Sequence, residues 1–222
     1  MKRIILTMVL GIVAMAGFAQ EKQEKQERED NRLGWNASVQ GGVLYSINEN
    51  TKHASFGDLV TPGMVIGVGY DFTHAFGVRS QFGYGRNVSG TNVTESGWPL
   101  GLYKFNDVSL FGDAVFNLSH LCSRGFRKNL PFELKGYIGF GCVFADDYDA
   151  MNVSHYESYV KDNGQTVLGM RFGFIGDWHV SQALSIYGDF GLTGYTDGFN
   201  GVNTGTWMDM RLSLMMGVTY HF

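Results

Sequence analysis

The chain has 222 residues, of which 44% are hydrophobic, 14% aromatic and only 17% charged, with a formal net charge of −4. That length suits one sizeable domain rather than two, and the absence of a basic excess removes nucleic acid as a partner. Thirty-one glycines stand against three prolines, roughly double ordinary glycine usage. They show no collagen period, and the aromatic content argues against disorder.

Residues 1–19 read as an export signal. Lys2 and Arg3 form a positive start, Ile4 to Ala16 an apolar run, and Gly17-Phe18-Ala19 a small-residue cleavage site before Gln20. The run is too short to cross a bilayer as a helix, and no cysteine follows the cleavage site as a lipoprotein would require. Residues 20–32, QEKQEKQEREDNR, are a charged low-complexity tail without an apolar face, expected in the periplasm. Residues 33–222 form the third and largest region.

In that region, segments that alternate apolar with polar or glycine residues are separated by turn-rich stretches. Eight strands are predicted at about 34–46, 62–73, 75–87, 105–119, 131–145, 165–180, 183–196 and 207–222. Thr73-His74-Ala75 and Ser181-Gln182-Ala183 are tight turns, and 120–130 is a link of middle length. By contrast, 47–61, 88–104, 146–164 and 197–206 are long and polar. Short turns on one side and long loops on the other are the asymmetry of an outer-membrane barrel.

The last strand places Met208, Met210, Leu212, Leu214, Met216, Val218, Tyr220 and Phe222 on one face, against Asp209, Arg211, Ser213, Met215, Gly217, Thr219 and His221. The other strands repeat the scheme. Eleven charges fall on polar faces: Arg79, Lys135, Arg171 and Arg211, with Asp71, Asp107, Asp113, Glu133, Asp177, Asp189 and Asp209. Away from the strand ends, none falls on an apolar face. A surface facing lipid must exclude charge in this way, since Arg or Lys at the bilayer midplane costs about 2–4 kcal/mol.

A soluble lipocalin-like barrel would turn the same pattern inside out. Its exterior would then be rich in glycine and poor in lysine, which suits water badly. In an eight-stranded barrel the interior is just wide enough for side chains. There, Gly67, Gly69, Gly83, Gly139, Gly173 and Gly191 make room for the charged groups. Those groups should pair into a polar core that plugs the barrel, because unpaired buried charge is unfavourable. A gated ion path is the competing reading. Trp35, Phe72, Phe76, Phe116, Phe132, Trp178 and Phe222 gather next to the short turns, and Tyr45, Tyr84 and Phe144 near the long loops, as two interfacial belts would. Cys122 and Cys142 fall near opposite ends of one strand, roughly 25–30 Å apart at ~3.3 Å per residue. A disulfide tolerates about 7 Å between Cα atoms, so both are expected to be free thiols.

The most specific local signal is at the end of the sequence. Gly217, Tyr220 and the final aromatic Phe222 resemble the C-terminal strand signal read by the outer-membrane barrel assembly machinery, departing from it at Met215, where a polar residue is usual. Taken whole, residues 33–222 resemble the OmpA/OmpX-type eight-stranded outer-membrane β-barrel domain family. The resemblance implies an all-β, closed antiparallel transmembrane barrel that does not conduct, with binding, adhesion or envelope-stabilising roles. It implies outer-membrane lipid and lipopolysaccharide as surroundings, and the assembly machinery as a partner during insertion. OmpA proteins add a peptidoglycan-binding domain, whereas this sequence is expected to stop at the barrel.

Some similar barrels are lipid A-modifying enzymes that use His with Ser and an acid. Ser154, His155 and Glu157 share one long stretch, and His53 and Ser55 share another, but a triad is defined by spatial geometry, and no His-x-Ser-Asn stretch of the deacylase kind is present. Asp146, Asp147 and Asp149 lack the glycine and glutamate of an EF-hand loop. Five Asn-x-Ser/Thr sequons, Asn87-Val88-Ser89 among them, carry no weight beside a bacterial-type signal. The resulting expectation is a non-enzymatic integral outer-membrane protein with no cofactor and no metal. Two alternatives stand beside it: an accessory subunit whose charged tail meets a periplasmic or membrane protein partner, and a lipid A-modifying enzyme.

Overall fold

A computed structural model describes residues 33–47, 51, 54–90, 102–122, 131–149, 164–201 and 208–222. Eight strands run in sequence order: β1 Gly34–Ile47, β2 Val60–Asp71, β3 Phe76–Gly90, β4 Leu102–Asn117, β5 Phe132–Asp149, β6 Gln165–His179, β7 Leu184–Tyr195 and β8 Asp209–His221. Each pairs antiparallel with its neighbour, and β1 pairs with β8 from Asn36↔His221 to Ile47↔Met210, which closes the barrel. Closure leaves no unpaired strand edge, the condition a sheet must meet inside a bilayer.

The two ends of the barrel differ. At the turn end, β2–β3 and β6–β7 are joined by tight turns in which the Thr73 and Ser181 hydroxyls accept from Phe76 N and Leu184 N, each at 3.0 Å. A short helix, α1 (Leu118–Cys122), follows β4 there. Asn117 holds its start by accepting from His120 N at 3.2 Å, and Ser119 Oγ accepts from Leu134 N at 2.8 Å. The other four connections define the loop end, where a 3₁₀ turn, Phe56–Leu59, leads into β2.

Side chains divide by parity, as a pleated sheet requires. Ile66, Leu110, Phe140, Leu168, Phe172, Phe190 and Leu214 are exposed on the outside, while Gln81, Asp107, Asp113, Asp177, Asp189 and Arg211 are buried inside. An apolar exterior around a polar interior is the arrangement of a transmembrane barrel. Exposed aromatics ring the turn end, with Trp35 60%, Trp178 62% and Phe222 66% accessible. Phe72 stacks on Phe76, and Tyr45 on Phe56 at the loop end.

Several boundaries differ from the sequence reading. β3 continues to Gly90, β4 starts at Leu102, and β5 continues to Asp149. Asp146, Asp147 and Asp149, read as loop residues, therefore belong to a strand. The register slips there between Lys104 and Asn106, and Asp147 takes a positive φ of 59° while accepting from Asn106 Nδ2 at 2.7 Å. These stretches look like loops in sequence because they carry no sustained apolar alternation, yet ladder bonding continues. The fourth strand stops at Asn117 rather than 119, where α1 begins. Cys122 sits in α1 and Cys142 on the outer face of β5; both are exposed free thiols.

Candidate functional site

The interior is stacked in three layers. In the middle layer, Arg171 and Arg79 converge on Asp113. Arg171 donates to Asp113 Oδ1 from Nε at 2.8 Å and to Oδ2 from its Nη2 at 2.7 Å, and Arg79 Nε donates to Oδ2 at 2.9 Å. Arg171 also reaches Gln81 Oε1 at 2.7 Å, and Arg79 reaches Asp189 Oδ2 at 3.3 Å. The Tyr137 hydroxyl donates to Asp189 Oδ1 at 2.9 Å. Arg79 lies over the Tyr137 ring at 4.7 Å and Arg171 over Phe111 at 4.4 Å. Two guanidiniums meet two carboxylates, so this layer is neutral. Glycine makes space for it: a Cβ at Gly191 or Gly173 would lie within 2.6 Å of the Tyr137 hydroxyl.

Among the described residues the loop-end layer holds the Arg211–Asp107 ion pair under an aromatic cap. One Nη of Arg211 donates to Asp107 Oδ1 at 2.7 Å and to Asn87 Oδ1 at 3.3 Å, and Asn87 Nδ2 donates to Asp107 at 2.6 Å. Asp209 accepts from Asn200 N at 3.4 Å. Above them Tyr103, Phe105, Phe111, Tyr195 and Phe199 form a buried cluster with Tyr148 against it. Tyr195 stacks on Phe199 with centroids 3.9 Å apart, and the Tyr103 hydroxyl donates to Asn200 O. The sequence reading did not single out this cap, although Phe111 and Tyr195 share strand parity with Asp113 and Asp189 and could have been placed inside on that ground.

The turn-end layer is built differently. Glu133 pairs across the β5–β6 ladder with Asp177, and Lys135 Nζ lies 2.7 Å from Asp177 Oδ2 and 3.5 Å from Glu133 Oε2. Asn117 Nδ2 donates to Glu133 Oε2 at 2.8 Å, and Asn36 Nδ2 donates to Asp71 Oδ2 at 2.8 Å. Histidines gather around the carboxylates. His120 Nε2 is 3.2 Å from Glu133 Oε1, and His179 Nε2 is 3.3 Å from Glu133 Oε2. The His74 ring stacks on His120, and the His221 ring lies 6.3 Å from His179. Small cavities adjoin the layer, one lined by Asp71, Glu133, Lys135 and His179, another by Asp71, Lys135, Asp177 and His221.

Within this layer, Ser185 Oγ lies 2.7 Å from His179 Nδ1, and His179 faces Glu133. The contact order Ser–His–Glu imitates a hydrolytic triad, but Ser185 is fully buried and lines neither of these two cavities. Ser185 instead bridges His179 and His221, the latter at 3.4 Å. His53, Ser154, His155 and Glu157, the histidine sets read from the sequence, lie outside the described residues.

The residues read as an assembly signal sit on the closing strand. Gly217 faces inward, where a Cβ would come within 2.8 Å of the Tyr187 ring; Tyr220 packs edge-on against Phe222 outside. Phe222 N donates to Trp35 O at 3.0 Å, the last bond of the β1–β8 seam.

The barrel is similar to Neisserial surface protein A, with a TM-score of 0.55 and 14% identity over 85% of this chain and 97% of that one. It is also similar to OprG from Pseudomonas aeruginosa, with a TM-score of 0.52 and 11% identity over 88% of this chain and 99% of that one. No protein-family model matches the sequence, and no curated protein does. At such identities the likeness concerns the fold, and it agrees with the strand count, closure and apolar exterior. The fold is that of the OmpA/OmpX-type eight-stranded outer-membrane barrel.

Proposed function

We propose that the protein is an integral component of the bacterial outer membrane that does not conduct and is not an enzyme. Its barrel serves as a rigid anchor in lipid and lipopolysaccharide, and its role is surface binding through the four long connections or support of the envelope. The observation that supports this reading is the filled lumen. Arg79, Arg171, Asp113 and Asp189 cross-link strands β3, β4, β6 and β7 through the barrel's interior, and the Tyr103–Phe199 cluster lies between them and the loop end. Hydrogen-bonded guanidinium–carboxylate groups of this kind are unfavourable to break, which opposes a water-filled path.

Planar-bilayer recordings on the folded protein test the reading: no stable conductance step is expected, and a large steady one would contradict it. Purification from native outer membranes in mild detergent addresses partners. Recovery with lipopolysaccharide alone fits a self-contained barrel, whereas a protein at near-equal stoichiometry would make it an accessory subunit.

A further inference from the structure

Three carboxylates, Asp71, Glu133 and Asp177, surround a single ammonium, Lys135, in the turn-end layer. Among the described residues this end of the lumen thus gathers three carboxylates around one ammonium, and buried carboxylates need close partners. Two buried atoms in it also have no hydrogen-bond partner, Asp177 Oδ1 and His179 Nε2. Their side chains are 94% and 93% buried.

We infer that Glu133, Asp177 and His179 bind a zinc-class divalent cation at the turn end of the lumen. Their ligating atoms all lie within 4.8 Å of one another. His179 Nε2 and Glu133 Oε2 stand 3.3 Å apart without a hydrogen bond between them. Two ligand atoms about 2.0–2.1 Å from a tetrahedral zinc are separated by about 3.3 Å, so the pair is already set at the spacing such an ion needs. The nitrogen–carboxylate donor set suits zinc better than calcium or magnesium, which prefer oxygen alone.

The surroundings of His179 support the same assignment. Its Nδ1 lies 2.7 Å from Ser185 Oγ. Donation from Nδ1 to that hydroxyl fixes the tautomer that leaves the Nε2 lone pair pointing at the carboxylates, the outer contact that metal-bound histidines commonly make. Lys135 occupies Asp177 Oδ2, leaving Oδ1 for the ion. A dication would meet the unpartnered Asp177 Oδ1 and His179 Nε2 together, and the cavity lined by Glu133, Lys135 and His179 gives it a place to enter with a water ligand.

The test uses the full chain folded in detergent, stripped with EDTA and titrated with Zn²⁺ at neutral pH by calorimetry. One ion per chain is expected, with affinity falling at least tenfold in Asp177→Asn and in His179→Ala. Ser185→Ala should weaken binding by about 10-fold or more through loss of ring orientation. No saturable uptake, or an affinity unchanged in both ligand variants, would overturn the assignment. Should His179→Ala fail to give the folded form on an unheated gel, Cu²⁺ bound to the wild-type chain decides the matter. Nitrogen hyperfine coupling from a coordinated imidazole supports the site, and oxygen-only coordination overturns it.

Discussion

The middle and turn-end layers of the lumen contain the same kinds of residue and resolve them in opposite ways. In the middle, every charge has an opposite charge within 3.3 Å: Arg79 and Arg171 share Asp113, and Asp189 takes Arg79 with a tyrosine hydroxyl beside it. At the turn end, among the described residues, carboxylates outnumber the ammonium, histidines stand beside them, and cavities adjoin the charges. The difference teaches that "buried charge" describes two physical situations here. One is a closed electrostatic joint that holds strands together through the lumen. The other, among the described residues, is a cluster in which carboxylates outnumber the ammonium and imidazoles complete the contacts.

The largest effect expected from breaking the middle layer comes from Arg171→Leu. It leaves Asp113 and Asp189 to share Arg79 alone, strips Gln81 Oε1 of its donor, and should lower unfolding stability by about 3–5 kcal/mol, measured by urea titration of the refolded protein in lipid. An unchanged midpoint would mean that water reaches Arg171 and that the middle is not closed. Packing sharpens the same contrast. Gly191→Leu drives a side chain into the Tyr137 hydroxyl, 2.5 Å from where its Cβ would sit, and should destabilise by about 1–3 kcal/mol. Gly136→Ala, on the outer face near the turn end and so a control outside the lumen, meets nothing closer than Leu118 at 3.5 Å and should stay within about 0.5 kcal/mol of wild type. Phe222→Ala should change stability least, since Phe222 is mostly exposed. Its expected effect is on insertion, seen as less of the heat-modifiable folded form on a gel. A full folded yield would show that the C-terminal aromatic is not read during assembly.

Much of the fold was legible because a membrane barrel writes its two solvents into alternate residues. Met210, Leu214 and Met216 against Asp209, Arg211 and Ser213 already separate lipid from lumen, and Thr73 and Ser181 mark turns by their side-chain bonds. The ends of the strands at the loop side were not legible. Val88, Tyr103 and Asp146 continue a ladder whose outer face no longer has to be apolar. Within the site, the identity of the lumen charges followed from parity, but their partners did not. Arg171 and Asp113 are 58 positions apart, and only closure and shear decide that they meet. The histidines were invisible as a group for the same reason. His74, His120, His179 and His221 come from a turn, a helix and two strands, with no spacing to connect them.

The most direct test of the contrast is the same substitution at both layers, Asp113→Asn and Asp177→Asn, each unfolded in urea with EDTA present. Asp113→Asn leaves two guanidiniums facing one another and should lose about 3–5 kcal/mol. Asp177→Asn leaves Lys135 with Glu133 and removes one of three carboxylates from the described cluster, and should lose clearly less than Asp113→Asn. Equal losses at the two sites would contradict the account, because they would mean that the turn-end carboxylates are as fully balanced as those in the middle.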